Sequence, residues 1–139
     1  MITRFILLCL CLIILPVQAM ACSCTQESFT DAASQKNVAR AALIFTGQVI
    51  DVKNSEDIPY FSEIKISLDK LHKGSGEVGE VNAFADIATS CGTTHSQIKK
   101  QTFFVLYTHQ GQYVLASGCG NYISETDKTA LERGDYLPK

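Results

Sequence analysis

The sequence predicts an all-β domain with small helices, its five short antiparallel strands curled into a closed or nearly closed barrel. Three observations predict it. Five short stretches are rich in β-branched and aromatic residues or alternate apolar with polar side chains. Gly47 interrupts the longest of them, as a bulge or bend that lets a sheet curl. Two capping signals mark out only short helices. A sandwich would use the strands alone almost as well; strands, bulge glycine and helices together fit a barrel.

Residues 1–21 stand outside that domain. Arg4 supplies a positive start, Phe5 to Leu15 form an unbroken apolar run, and Pro16 breaks it. Ala19-Met20-Ala21 then places small residues at both cleavage positions, the layout of a secretory signal peptide. The eleven apolar residues are too few to cross a bilayer. The expectation is cleavage after Ala21, export to the extracellular space or periplasm, and a single domain over residues 22–139. A lipoprotein signal also ends before a cysteine, but Ala19 stands where such signals favour a larger aliphatic residue. Lipidation of Cys22 would also leave an odd number of thiols.

Ser28 with Asp31 three residues later resembles a capping box and predicts a helix from about Phe29 to Lys36, with Phe29, Ala32 and Ala33 buried and Asn37 as its stop. Leu43 to Val52 reads as a long strand, and Asn54 to Pro59 as a turn. Ile64, Ile66 and Leu68 alternate with Glu63, Lys65, Ser67 and Asp69, so the second strand has one wet face. Lys73 to Gly79 is a glycine-rich loop without the pattern or helix of a phosphate site. Val81 to Ala85 forms a third strand, and Asp86 to Thr94 a loop. Thr102 to Thr108 and Gln112 to Ser117 make a hairpin turning at Gln110-Gly111. Ser124 and Asp127 open a final helix from Glu125 to Arg133, closed by Gly134.

Charge excludes some partners. Cleavage removes one base and no acid, so the formal net charge of −2 becomes about −3. With Lys99-Lys100 the only adjacent basic pair, nucleic acid and anionic membrane are poor partners. His72, His95 and His109 read as scattered surface histidines on a strand end, a loop and a hairpin turn. Asp51, Glu63 and Asp69 read as solvated positions.

Of six cysteines, Cys9 and Cys11 leave with the signal. Cys22, Cys24, Cys91 and Cys119 remain, an even set in an exported domain, which reads as two disulfides. A Cys22–Cys24 bridge would close a very tight ring. Each early cysteine reaching a late one is preferred, and either crossed pairing would pin the N-terminus to the domain's body.

These residues together resemble a known family. Cys22-Ser23-Cys24 at the mature start, a short helix, Ile44-Phe45-Thr46-Gly47-Gln48-Val49, the Lys73-Gly74 turn, Ser90-Cys91-Gly92, the Phe103 to Tyr107 strand and a closing Cys119 resemble the netrin-like domain. In particular they look like the N-terminal, inhibitory domain of the tissue inhibitors of metalloproteinases. The likeness runs from Cys22 to about the last helix, and the Cys-x-Cys at a cleavage point is its specific element. The resemblance implies an OB-fold-type β-barrel with Cys22 bonded to Cys91 and Cys24 to Cys119. Two departures stand out. The family's third disulfide in this domain is missing, Ser34 standing near the place of its first cysteine. The 139 residues also include no cysteine-rich C-terminal subdomain.

The family's mode of action fits the chemistry of a free Cys22. A catalytic zinc in a protease keeps one position open for water. The α-amino nitrogen and carbonyl oxygen of Cys22 can close a five-membered chelate on that zinc and displace the hydrolytic water. The amine must be neutral, and with a reference pKa of about 8 it loses its proton readily beside a dication. The resemblance further implies that Ser23 points into the protease's specificity pocket and that Thr89 and Ser90 flank it. The expected protein is a secreted, monomeric metalloprotease inhibitor without cofactor or catalytic activity, its zinc supplied by the partner. The alternative is a non-catalytic netrin-like module that binds another protein or a matrix through its barrel loops. A thiol–disulfide exchange enzyme fits less well, since redox pairs usually sit at a helix start as Cys-x-x-Cys.

Overall fold

A computed structural model describes residues 24–75, 79–87 and 92–137. The predicted signal and the site residues Cys22, Ser23, Thr89, Ser90 and Cys91 lie outside those described. Five strands, β1 (Leu43–Asn54), β2 (Phe61–Lys73), β3 (Gly79–Asp86), β4 (Phe103–His109) and β5 (Gln112–Leu115), close into a barrel in the order β1-β2-β3-β5-β4. Helices α1 (Asp31–Arg40), α2 (His95–Lys100) and α3 (Glu125–Arg133) accompany it, with short 3-10 turns at Gln26–Phe29 and Gly118–Asn121.

The strands are not all antiparallel, as the sequence led one to expect: β3 meets β5 in parallel at Phe84 and Val114. The reason is one of parity. In a closed ring of five strands, directions cannot alternate all the way round, so at least one neighbouring pair must run the same way.

The barrel core holds Phe45, Ile64, Ile66, Phe104, Leu106 and Leu115, with Ile98 of α2 packed among them. A second apolar layer lies on the outer side of β1 and β4, where Ile44 and Val105 pack with Val38 and Leu131 of the flanking helices α1 and α3. The two layers explain why three successive residues are buried in each strand, Leu43 to Phe45 and Phe104 to Leu106. Both faces of those strands are covered.

The β1–β2 register shifts between Thr46 and Gly47, where the sequence predicted a bulge or bend, with the extra residue, Asp69, on β2. Glycine is required there by contact, since a Cβ at Gly47 would lie 2.0 Å from the Ser67 carbonyl oxygen. Gly47→Ala is therefore expected to force the strands apart locally and cost about 1–3 kcal/mol. A lower urea midpoint at unchanged m-value would register it.

Helix α1 departs from expectation. Its N-cap is Thr30, whose hydroxyl accepts the Ala33 N–H, while Ser28 falls in the preceding 3-10 turn. The helix runs past Asn37 to Arg40 and buries Ser34, Asn37 and Val38. Phe29 is 53% exposed. The predicted buried face was wrong because polar side chains of this helix find partners in distant segments. Helix α2 was not foreseen; a Thr94–Gln97 capping box opens it. Helix α3 begins at Ser124 and ends at a left-handed Gly134, as predicted.

Candidate functional site

The sequence places the candidate site at the terminus Cys22-Ser23 and the loop carrying Thr89, Ser90 and Cys91. The structure describes the supports of both. On the terminal side, Cys24 is bonded to Cys119, with a Cα–Cα distance of 5.6 Å. The Cys22–Cys91 partner bond lies outside the described residues.

Cys119 belongs to the Gly118–Asn121 turn, and three side chains hold that turn and the segment leading into α3. The Asn37 amide donates to the carbonyls of Cys119 (3.1 Å) and Tyr122 (2.9 Å). The Tyr107 hydroxyl donates to the Gly120 carbonyl at 2.7 Å. Burial raises the Tyr107 pKa above its ordinary value, opposed by the Arg40 guanidinium, so the hydroxyl stays a donor. Ser34 is fully buried; its hydroxyl donates to the Asp127 carboxylate (2.5 Å) and accepts the Ser124 N–H (2.8 Å). A hydrogen-bonded bridge thus joins α1 to the start of α3 through Ser34. Phe29 packs edge-on against Tyr122 with ring centroids 5.3 Å apart.

The loop side is anchored at its base. The Thr93 N–H donates to the Asp86 carbonyl at 3.0 Å, which closes a neck between the end of β3 and the start of α2. The Ile87 N–H donates to the Tyr60 carbonyl at 3.2 Å, which ties the loop to the β1–β2 turn. His95 opens α2 and meets the buried Ser62 hydroxyl through Nε2 at 2.5 Å, so it is no loop-surface histidine. Tyr60 is 75% exposed in a left-handed conformation (φ 68°), which a bulky residue rarely adopts. An aromatic ring is thereby presented to solvent beside the loop.

Other residues sort by contact. Lys73 donates to the carbonyls of Val38, Ala39 and Ala41, capping the end of α1; its ammonium serves the helix, not a phosphate. Glu63 pairs with Lys53 at 2.9 Å, and Asp51 and Asp69 are exposed. His109 is exposed, but His72 is not a surface histidine: its ring stacks on Phe103. Among the described residues, no group of three or more His, Cys, Asp or Glu could hold a metal ion. No described helix is long and apolar enough to cross a membrane.

Sequence reasoning missed Asn37, Ser34 and Tyr60. Nothing local distinguishes the first two, whose partners lie more than 80 residues away. An aromatic residue at the end of a polar turn was the available signal for Tyr60. No protein-family model matches the chain, and no curated protein matches it.

Proposed function

We propose that the protein is a secreted inhibitor of zinc metalloproteases, a netrin-like domain of the tissue-inhibitor kind, acting through the amine and carbonyl of Cys22. The observation that carries this reading is the Cys24–Cys119 bond. It fixes the residue two places after the predicted terminus onto a turn that is itself held by Asn37 and Tyr107. A terminus presented this way loses little ordering entropy on binding. The strand order β1-β2-β3-β5-β4 supports an OB-fold-type barrel. In this reading Cys22 is bonded to Cys91, Ser23 enters the specificity pocket, and Thr89 and Ser90 flank it on a loop whose neck is closed by Asp86 and Thr93.

A panel of zinc metalloproteases assayed with protein beginning at Cys22, beside a form that keeps Ala21, tests the proposal. Inhibition by the first and its loss in the second is the expected result, because an added residue converts the amine to an amide. Equal activity of both forms would sink the chelate.

The exposed Tyr60 beside the loop favours a second reading, a non-catalytic protein-binding module. It predicts that Tyr60→Ala weakens partner binding while the Ala21-retaining form binds normally.

A further inference from the structure

We propose that His72 is an acid-operated latch between the barrel and helix α3, its protonation releasing α3 and the segment after it while the barrel stays folded. The inference does not depend on what the terminus binds. Both ring nitrogens of His72 are buried, and neither has a hydrogen-bond partner among the described residues. The ring stacks on Phe103 with centroids 5.8 Å apart, and the Lys128 ammonium of α3 stands over that same phenyl ring at 5.2 Å.

A neutral imidazole is tolerated in this apolar seat; an imidazolium has two donors there, with a hydrogen-bonded acceptor in place for neither. Burying an unpaired charge is costly, and the surroundings are cationic on balance. Lys70 and Lys73 flank the ring on β2, and Lys128 lies on α3. Glu132 on α3 is the opposing charge; Tyr136 comes after it on the next segment, and α1 contributes the apolar Val38 and Ala39. Burial first, then the Lys70 ammonium, holds the imidazole below its ordinary value of 6.5. Glu132 and the nearby Leu131 carbonyl oppose this, the latter without reaching hydrogen-bond geometry.

Relief is available close by. His72 borders a cleft of about 440 Å³ shared with Val38, Leu131, Gly134 and Tyr136. Helix α3 is the partner that can yield, since Leu131 is its one buried residue and the Lys70 ammonium holds its last turn by the Glu132 carbonyl. Elements with few buried contacts open first.

Linkage sets the direction of the effect. The open state binds the proton at the ordinary value and the closed state only at lower pH. Closure is therefore at full strength above about pH 6.5 and weakens as pH falls toward the lowered value. Within that window the opening constant of α3 rises by up to about tenfold per pH unit. Amide hydrogen exchange between pH 7.5 and 5, corrected for intrinsic rates, reads this directly. The expected result is acid-dependent loss of protection in α3, with β1, β2 and β4 unchanged, and no such dependence in His72→Gln or His72→Leu. Persistence of the dependence in both variants would overturn the latch, as would equal loss of protection across the barrel. NMR titration of the His72 ring in the unaltered protein gives an independent check, and titration at the ordinary value with α3 still protected would also overturn it.

Discussion

The double variant Cys24→Ser, Cys119→Ser is expected to lose about 2–5 kcal/mol of stability. The bond closes a separation of 95 residues; with the proposed Cys22–Cys91 bond still in place its removal frees only part of the denatured chain, and the chain-entropy argument places the loss near the middle of that range. The native state loses less. The turn bearing Cys119 keeps its hydrogen bonds from Asn37, and the barrel core is a separate cluster from the layer beneath the helices. Urea unfolding should show a lower midpoint, with a larger m-value because a less cross-linked denatured chain exposes more surface. Far-UV circular dichroism without denaturant should stay that of the barrel. An unchanged midpoint would show that the bond restrains neither state. Under the proposed function the folded variant also inhibits more weakly, because the terminus is then held by the Cys22–Cys91 bond alone.

The second large effect is expected at Asn37. Its amide satisfies two carbonyls, those of Cys119 and Tyr122, from inside a helix. Asn37→Ala strands both in a partly buried place and should cost about 2–4 kcal/mol, although helix propensity alone favours alanine. Asn37→Asp is the informative control. It keeps the shape, but an ionised carboxylate can only accept and faces two carbonyl oxygens. Thermal unfolding at neutral pH should therefore show no rescue by Asp. An Asp variant as stable as the parent would mean that size, not donation, is what the site requires.

Much of the barrel was legible because strand periodicity is local. Ile64, Ile66 and Leu68 advertise an inward face, and the hairpin turns at Gln110-Gly111, both with positive φ. Helix α3 carried its start and stop signals at both ends. Helix α1 was misplaced because Ser28 and Thr30 offer competing caps, and only the packed structure lets Thr30 win. Its continuation past Asn37 depends on carbonyls more than 80 residues along the chain. Six residues with one buried side chain, Ile98, give α2 too little pattern to read. His72 looked like a strand-end surface residue because the helix that covers it comes some 50 residues later. At the candidate site, cysteine parity and the family resemblance anticipated the Cys24–Cys119 bond. The hydroxyl bridge of Ser34 and the exposed ring of Tyr60 depend on tertiary neighbours, which no local pattern encodes.

The closed neck between Asp86 and Thr93 has a bearing on how such a protein can diversify. Beyond it the chain returns to α2, whose Ile98 side chain belongs to the barrel core. A change at Ile98 is therefore a change to the core, while the other positions of α2 bury no side chain. The segment between Asp86 and Thr93 is tied at the neck and again through Ile87, whose N–H donates to the Tyr60 carbonyl, so the scaffold fixes where it departs and where it returns. Doubling such a loop adds only about 0.6 kcal/mol of closure entropy. New recognition can thus be written there in sequence and in length while the scaffold beneath is inherited unchanged.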